Sequence, residues 1–370
     1  MVLSNTQRRY TLMNKDVPLL DFVCRRNAFD EPEFFEEQWL TKQRPFGYRY
    51  IASFLEHRKA PKHRKHIQQL LEQYGCDDLE GFLQVTHALS LNDTFWVRDA
   101  GSALDWRSVS LYTNAFSQVI SEAAFDGTIS ETDLSTTSPE FGTDGYYAKC
   151  WVREAEGIYL CKSGSAHYEI EPLSEYLAAQ LATRLCPGAV SYDMAYYHGK
   201  LVSKCLLFTS EDVGLAKAST VFGGEERAIP ELLRFFDEIG SGDAFRRMCV
   251  LDAVILNPDR HFGNFGVLFD ANTQEILSMA PVFDHNRSLL PELDNGQLAE
   301  PSWYLKRCRP RLGRDFLLTA RGLLTDDIRG DLEHLRSFTF QQHPLIHAEQ
   351  ERLDFLSKIV QGQIQKILDD

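Results

Sequence analysis

The residues best suited to do chemistry lie in the segment 256–266, which reads Leu-Asn-Pro-Asp-Arg-His-Phe-Gly-Asn-Phe-Gly. Asp259 and Asn264 lie five positions apart in it. Pro258 and two glycines interrupt the preceding helical pattern, so we expect a loop to carry both side chains. At this spacing a loop carboxylate can accept a hydroxyl proton while the amide holds a magnesium ion, as happens in phosphoryl transfer.

A second acidic residue, Asp284, follows Asn264 by twenty positions. It ends the run Ala-Pro-Val-Phe-Asp at 280–284, which its apolar pattern predicts to be a short strand. Magnesium-nucleotide sites combine one or two protein carboxylates with phosphate oxygens, so a carboxylate placed after the loop fits such a site. In the alternative interpretation these side chains only cap turns and make loop hydrogen bonds.

Two motifs resemble those of a known family. The run Asp-Arg-His-x-x-Asn-Phe-Gly at 259–266 and the run Pro-Val-Phe-Asp at 281–284 resemble the catalytic and metal-binding motifs of HipA-like serine/threonine kinases, known from bacterial toxin–antitoxin systems. The Asp-Arg-His element also occurs in phosphatidylinositol kinases, which share the wider kinase architecture. The resemblance covers roughly residues 140 to 340, and the first 130 residues carry no motif that we can assign.

The resemblance implies a fold, two cofactors and roles for the motif residues. The fold would be α+β and bilobal, like a protein kinase, with a small strand-rich N-lobe, a larger helical C-lobe and an N-terminal accessory region. The cofactors would be ATP and magnesium. Asp259 would be the general base, Asn264 and Asp284 would hold magnesium, and His261 would lie beside the phosphates.

The remaining kinase parts are expected upstream of the loop. Lys162 ends a predicted strand at 158–161, where a kinase-like fold places the lysine that contacts the nucleotide phosphates. Glu175, in a helical pattern, is the first choice for its ion-pair partner, and Glu171 is the second. The alternatives are a solvent-exposed lysine at a strand end and a glutamate on the polar face of a helix.

Two further segments are assigned to nucleotide binding from their place in the resemblance. The loop that covers the phosphates would use Gly142, Thr143, Asp144, Gly145 and Lys149. It departs from a well-formed glycine-rich loop, because it has two glycines and an acidic residue near phosphate. The hinge that contacts adenine would lie around Lys204, Cys205 and Leu206, although no residue type there identifies it.

Apolar periodicity and turn residues predict the order of the elements. We expect a hairpin over 10–22, a helical region from Pro32 to about Leu83, and a Ser-, Thr- and Gly-rich connector at 127–145. The predicted parts are an accessory region at 1–135, an N-lobe at 136–212 and a helical C-lobe at 213–370. Further predictions are strands at 146–152 and 158–162, a helix at 172–185, a hairpin at 190–209, helices from Ile229 interrupted by a loop-rich segment at 257–288, and a last helix with a buried stripe: Leu353, Leu356, Val360, Ile364 and Ile367.

The composition argues against several classes of protein. A formal net charge of -14 argues against general nucleic-acid binding, which selects a basic face. The eight cysteines form no C-x-x-C pair, and we interpret them as reduced thiols of a cytoplasmic protein. No signal peptide or apolar membrane span is expected. A local basic run at 57–66 is interpreted as a solvated surface or, alternatively, as a docking patch for an acidic partner or a nucleic acid.

Together these features predict an ATP- and magnesium-dependent kinase that phosphorylates a protein Ser or Thr and also itself, with self-targets in 130–143. A small DNA-binding partner of the antitoxin type would accompany a kinase of this family. One alternative is a small-molecule or lipid kinase with the same fold. The other is a regulator that binds nucleotide without transfer.

Overall fold

The structure is a computed structural model that describes residues 7–59, 78–117, 120–121, 125, 138–139, 148–165 and 170–369. The chain divides into two compact units. The first consists of Met1–Cys161, Thr209–Ala216 and Phe269–Glu275, and the second of Lys162–Phe208, Lys217–Leu268 and Ile276–Asp370. Strands and helices occur in both, so the predicted α+β class is confirmed. The three-part division at residues 135 and 212 stays a prediction.

The elements follow one another along the chain in this order. The first half contains β1 (Arg8–Asn14), β2 (Val17–Arg26), β3 (Pro32–Trp39), α1 (Ile51–Glu56), α2 (Leu79–Thr86), β4 (Phe95–Asp99), α3 (Trp106–Val109), β5 (Lys149–Glu154), β6 (Gly157–Ser163) and α4 (Glu171–Leu185). The second half contains β7 (Tyr192–Tyr197), β8 (Lys200–Leu206), β9 (Val213–Lys217), α5 (Ala218–Val221), α6 (Ile229–Glu238), α7 (Gly242–Val254), β10 (Gly266–Asp270), β11 (Ile276–Met279), α8 (Asn295–Ala299), α9 (Ser302–Leu305), α10 (Phe316–Leu323), α11 (Asp326–His334) and α12 (Gln350–Leu368).

The first unit is built on an antiparallel sheet with the strand order β3-β2-β1-β4. The predicted hairpin is confirmed, since β1 and β2 pair around a turn in which Lys15 has a φ of 49°. Leu12, Leu20 and Phe22 belong to a buried apolar core over which α1 and α2 also pack. Burial of each such side chain contributes about 1.5–3 kcal/mol, which holds the two helices on the sheet.

The helical prediction that starts at Pro32 is wrong for its first part. Residues Pro32–Trp39 form the edge strand β3, which pairs with β2 from Leu20 to Arg26. Phe34 and Trp39 pack against the apolar core. Pairing with a distant strand and this burial outweigh the local spacing, as is common for β-structure. Helices α1 and α2 lie in the predicted region, whereas residues 60–77 of that region lie outside the described residues.

Among the described residues, the longest helices lie in the second unit. Helix α4 confirms the predicted helix at 172–185, and β7 and β8 confirm the predicted hairpin around His198 and Gly199. Helix α7 is buried along almost its whole length. The apolar stripe of α12 is confirmed as core, because all five of its predicted residues are buried. None of the helices in the described part of the chain has the length and apolar character needed to cross a membrane.

The strand predicted at 280–284 is wrong. The regular strand β11 ends at Met279, and the next five residues have irregular backbone. Pro281 cannot donate a ladder hydrogen bond, and Asp284 has a φ of 60°, in the left-handed region that few non-glycine residues adopt. Asp284 is therefore carried by a loop, whose path is set by contacts described below. Most of the connector at 127–145 lies outside the described residues.

Candidate functional site

A buried lysine joins two carboxylates in the second unit. Lys162, near the end of β6, places its Nζ 2.5 Å from Oε1 of Glu175 on α4 and 3.0 Å from Oδ1 of Asp284. Lys162 and Glu175 are both buried. Neither the solvent-exposed lysine nor the polar-face glutamate of the alternative interpretation is therefore found. The structure brings together three of the residues singled out in the sequence, from positions up to 122 apart.

Glu175 is held from several sides. Its Oε2 accepts a hydrogen bond from Oγ of Ser203 on β8, at 2.5 Å, and its Oε1 accepts one from the backbone N–H of His285 at 3.2 Å. Glu171, the second choice as partner of Lys162, instead accepts a hydrogen bond from the backbone N–H of Ser165 at 3.1 Å. The first choice is thus the residue in contact with the lysine.

Burial and neighbouring charges have opposite effects on the pKa of Lys162 and on that of Glu175. Burial lowers the pKa of Lys162, but the charges of Asp284 and Glu175 outweigh burial and hold that pKa above its ordinary value. The lysine therefore stays protonated. Burial raises the pKa of Glu175, and the like charge of Asp284 adds to this, against the attraction of Lys162. Of the two carboxylates that contact Lys162, that of Asp284 is 29% exposed and is the one accessible to a cation.

The loop that carries Asp259 is fixed by side-chain to backbone hydrogen bonds. Asn257 accepts one from the N–H of Asp259 at 3.1 Å, and Nδ2 of Asn264 donates one to the Asp259 carbonyl at 3.0 Å. Nδ1 of His261 accepts one from the N–H of Gly263 at 2.9 Å. Burial lowers the pKa of His261, with the nearby charge of Asp259 opposing it. The imidazole is therefore neutral near pH 7.

The Asp259 side chain faces outward from this loop. It is 41% exposed, and Nη1 of Arg311 lies 3.9 Å from its Oδ1. A carboxylate that is partly accessible and held on a rigid loop can reach a hydroxyl group that approaches from solvent. Asp259 thus has the exposure that a general base for an incoming acceptor requires.

Arg260 is the functional residue to which sequence reasoning assigned no role. It is 1% exposed. Its Nε and Nη2 donate to the Asp252 carboxylate on α7 at 2.9 and 3.0 Å, and its Nη1 donates to the carbonyls of Asn264 at 2.7 Å and Phe283 at 2.6 Å. One guanidinium thus ties the Asp259 loop to the residue that precedes Asp284. The only signal in the sequence was its place inside the Asp-Arg-His run.

The left-handed backbone at Asp284 is stabilised on both sides. The N–H of Asp284 donates to the hydroxyl of Tyr192 at 3.0 Å, and His285 is fully buried beside Arg260, with Nδ1 at 3.4 Å from Nη2. Burial lowers the pKa of His285 well below its ordinary value, and the positive charge of Arg260 lowers it further. Tyr192 thus fixes the backbone of Asp284, whose carboxylate contacts Lys162.

The other predicted nucleotide-binding residues fall in three places. Gly142, Thr143, Asp144 and Gly145 lie outside the described residues. Lys149 is the first residue of β5 in the first unit. The predicted hinge residues Lys204, Cys205 and Leu206 end β8 in the second unit, where Cys205 is buried and Leu206 is exposed.

The predicted metal ligands fit a magnesium ion by their chemistry. Asn264 uses its Nδ2 in the hydrogen bond to Asp259, so its Oδ1 is the atom that would face a metal. Asp284 supplies a carboxylate, and hard oxygen ligands are those that magnesium prefers. In the described ranges, no group of three or more His, Cys, Asp or Glu side chains could hold a metal.

Comparisons with known proteins give structural matches. No protein-family model and no curated protein matches the chain. Among solved structures, a proinflammatory kinase of Helicobacter pylori, CtkA, matches at 20% sequence identity with a TM-score of 0.47, over 63% of this chain and 92% of CtkA. HipA of Shewanella oneidensis MR-1, solved with HipB and operator DNA of its toxin–antitoxin system, matches at 11% identity with a TM-score of 0.48, over 98% of this chain and 99% of HipA.

Proposed function

We propose that the protein is an ATP- and magnesium-dependent kinase of the HipA-like type that phosphorylates a Ser or Thr hydroxyl of a protein and also modifies itself. The observation that carries this proposal is the contact of the buried Lys162 with both Glu175 and Asp284. A kinase requires a lysine–glutamate ion pair beside the aspartate that holds magnesium. The stability of the fold does not account for a buried lysine between two carboxylates, since a buried ion pair contributes little net free energy of folding.

Each residue has one role in the proposed reaction. Lys162, fixed by Glu175, would hold the nucleotide phosphates, and Asn264 and Asp284 would hold magnesium, whose charge offsets that of the transferred group. The oxygen of the acceptor hydroxyl forms a bond to the γ-phosphorus while the bond to the leaving ADP oxygen breaks. Asp259 accepts the hydroxyl proton. Arg260 touches none of the reacting atoms and positions both loops.

The proposal also includes a binding partner, a cellular location and a site of self-modification. The motif resemblance implies a small DNA-binding partner of the antitoxin type, and co-purification of the chain with the product of a neighbouring gene would test this. The cytoplasm as location and the segment 130–143 as self-target remain predictions. Phosphopeptide mapping after incubation with ATP and magnesium tests the self-target.

The experiment that tests the reaction is transfer of label from γ-labelled ATP in the presence of magnesium, with the protein alone and with a generic protein acceptor. We expect label with the wild type and a loss of at least about a hundredfold in Asp259→Asn and Asp284→Asn, since a positioned base or charge-stabilising group is worth that much. Asp354→Asn, at an exposed position of α12, is the matched control and should keep full activity.

The other outcomes lead to the alternatives. Absence of label on protein, together with a nucleotide-dependent rise in melting temperature, would favour a small-molecule or lipid kinase or a non-catalytic nucleotide-binding regulator. Hydrolysis or transfer to a small alcohol would then separate those classes. Absence of any nucleotide binding would overturn the proposal.

A further inference from the structure

The backbone conformation of Asp284 depends on contacts from outside its own loop. Its φ of 60° lies in the left-handed region, which a non-glycine residue keeps only where its surroundings impose it. The N–H of Asp284 donates to the hydroxyl of Tyr192 at 3.0 Å. Because the backbone sets the direction of the Cβ atom, a change in this conformation would move the carboxylate that contacts Lys162.

Tyr192 occupies a fixed position in a regular strand. It lies in β7 and pairs with Cys205 of β8 across the antiparallel ladder. Its side chain is buried. Nζ of Lys162 lies 5.4 Å from the centroid of its ring, and the ring of His285 packs edge-on at 6.1 Å between centroids. The strand and these ring contacts hold the hydroxyl at one place beside the Asp284 backbone.

The hydroxyl of Tyr192 adds no charge to the site. Burial raises the pKa of Tyr192 well above its ordinary value, and the nearby charge of Glu175 adds to this. The hydroxyl therefore keeps its proton, and its oxygen accepts the N–H of Asp284 as a neutral group. The ring contacts and this hydrogen bond are separable, because Tyr192→Phe removes the hydrogen bond and keeps the ring.

We propose that Tyr192 is a positioning residue for the metal: its hydroxyl holds Asp284 in the conformation from which the carboxylate binds magnesium, and so sets the affinity for metal and not that for nucleotide. The inference rests on the proposed function, because it concerns the magnesium of that same reaction. Without the hydrogen bond, the metal-free protein would populate other conformations of Asp284. Metal binding would then have to restore the left-handed one, which lowers the apparent affinity in proportion to its population.

The hydroxyl should matter more for magnesium than for calcium. Magnesium requires a nearly ideal octahedral arrangement of its ligands, whereas calcium accepts variable geometry and a variable number of oxygen ligands. A carboxylate that moves among several positions satisfies calcium more readily than magnesium. Loss of the hydroxyl should therefore weaken magnesium binding more than calcium binding.

The test measures binding of the fluorescent nucleotide mant-ADP to the full chain, first in EDTA and then at increasing Mg²⁺ or Ca²⁺. The Kd in EDTA reports on nucleotide alone, and the cation concentration at half of the cation-dependent change in affinity reports on metal. For Tyr192→Phe we expect the half-effect concentration of Mg²⁺ to rise about tenfold, as for the loss of one hydrogen bond. That of Ca²⁺ should rise less than about threefold, and the Kd in EDTA should stay within about twofold of the wild type.

Two further variants calibrate the measurement. The matched control is Tyr196→Phe, the same substitution at an exposed position of β7, and it should equal the wild type in all three quantities. Asp284→Asn removes the carboxylate itself and should abolish most of the Mg²⁺-dependent change.

Three results would refute the role of Tyr192. Equal half-effect concentrations of Mg²⁺ in the wild type and Tyr192→Phe, with a loss in Asp284→Asn, would overturn the inference and leave the proposed function standing. So would a Tyr192→Phe variant that bound mant-ADP equally poorly in EDTA and in Mg²⁺, or that shifted both cations equally, since either result indicates a general structural role. Absence of mant-ADP binding by the wild type would overturn the proposed function and the inference with it.

Discussion

The substitution Asp252→Asn tests whether the buried contact of Asp252 with Arg260 holds the site together. Asp252 accepts two hydrogen bonds from the guanidinium and a third from Nδ2 of Asn257 at 3.0 Å. Both charged side chains are almost fully buried, at 6% and 1% exposed. Because the substitution leaves the arginine charge buried without its counter-ion, we expect a cost of about 3–5 kcal/mol.

The lower end of that range is the more relevant, since Asn keeps one oxygen that accepts a hydrogen bond. A loss of about 3 kcal/mol lowers the melting temperature of a unit of this size by about 6–12 °C, at about 2–4 °C for each kcal/mol. Thermal unfolding followed by circular dichroism measures the shift. Phosphotransfer at a temperature where the variant is still folded should fall as well, because Arg260 also holds the carbonyls of Asn264 and Phe283.

The matched control is Asp243→Asn on the same helix. Asp243 pairs with Arg247 at 2.7 Å, but its side chain is 62% exposed. Water screens such a pair, so its loss should cost less than about 1 kcal/mol and leave transfer unchanged. If Asp252→Asn shifted the melting temperature no more than Asp243→Asn, the argument that burial makes the Arg260 contact indispensable would be refuted.

The other predictions concern single contacts. Ser203→Ala removes the hydrogen bond to the buried carboxylate of Glu175, and we expect a loss of about 1–3 kcal/mol in urea unfolding, whereas an unchanged midpoint would speak against the contact. Leu356→Ala, in the core of α12, should cost about 2–5 kcal/mol, and Leu345→Ala, at an exposed position, less than about 0.5 kcal/mol, as measured by the same assay; equal costs would contradict the core assignment. Burial lowers the pKa of His87 in the folded first unit, so the unfolded chain binds its proton more readily as the pH falls below about 6.5. The unfolding free energy should therefore decrease from pH 7 to pH 5, by at most about 1.4 kcal/mol per pH unit from this group, and His87→Asn should flatten that slope; an unaltered slope would exclude His87 as its source.

Local patterns in the sequence were sufficient to predict several elements and the loop that carries Asp259 and Asn264. The turn between β1 and β2, the helical spacing of α4 and the apolar stripe of α12 each depend on residues close in sequence. Backbone preferences and the period of apolar side chains act over such short spans, so these elements could be predicted. Asp259 and Asn264 were predictable for the same reason, because Pro258 and the glycines determine a loop locally.

Tertiary contacts decided the features that local patterns did not predict. Strand β3 forms because it pairs with β2. The spacing of apolar residues within 32–39 contains no information about that partner strand. The backbone at Asp284 follows from Tyr192 and Arg260, which lie 92 and 24 positions away. The sequence by itself determined which side chains with suitable chemistry are present and which short elements carry them. Only the tertiary structure decided that Lys162 is buried between two carboxylates, because burial and the pairing of charges depend on distant segments that meet in the folded chain.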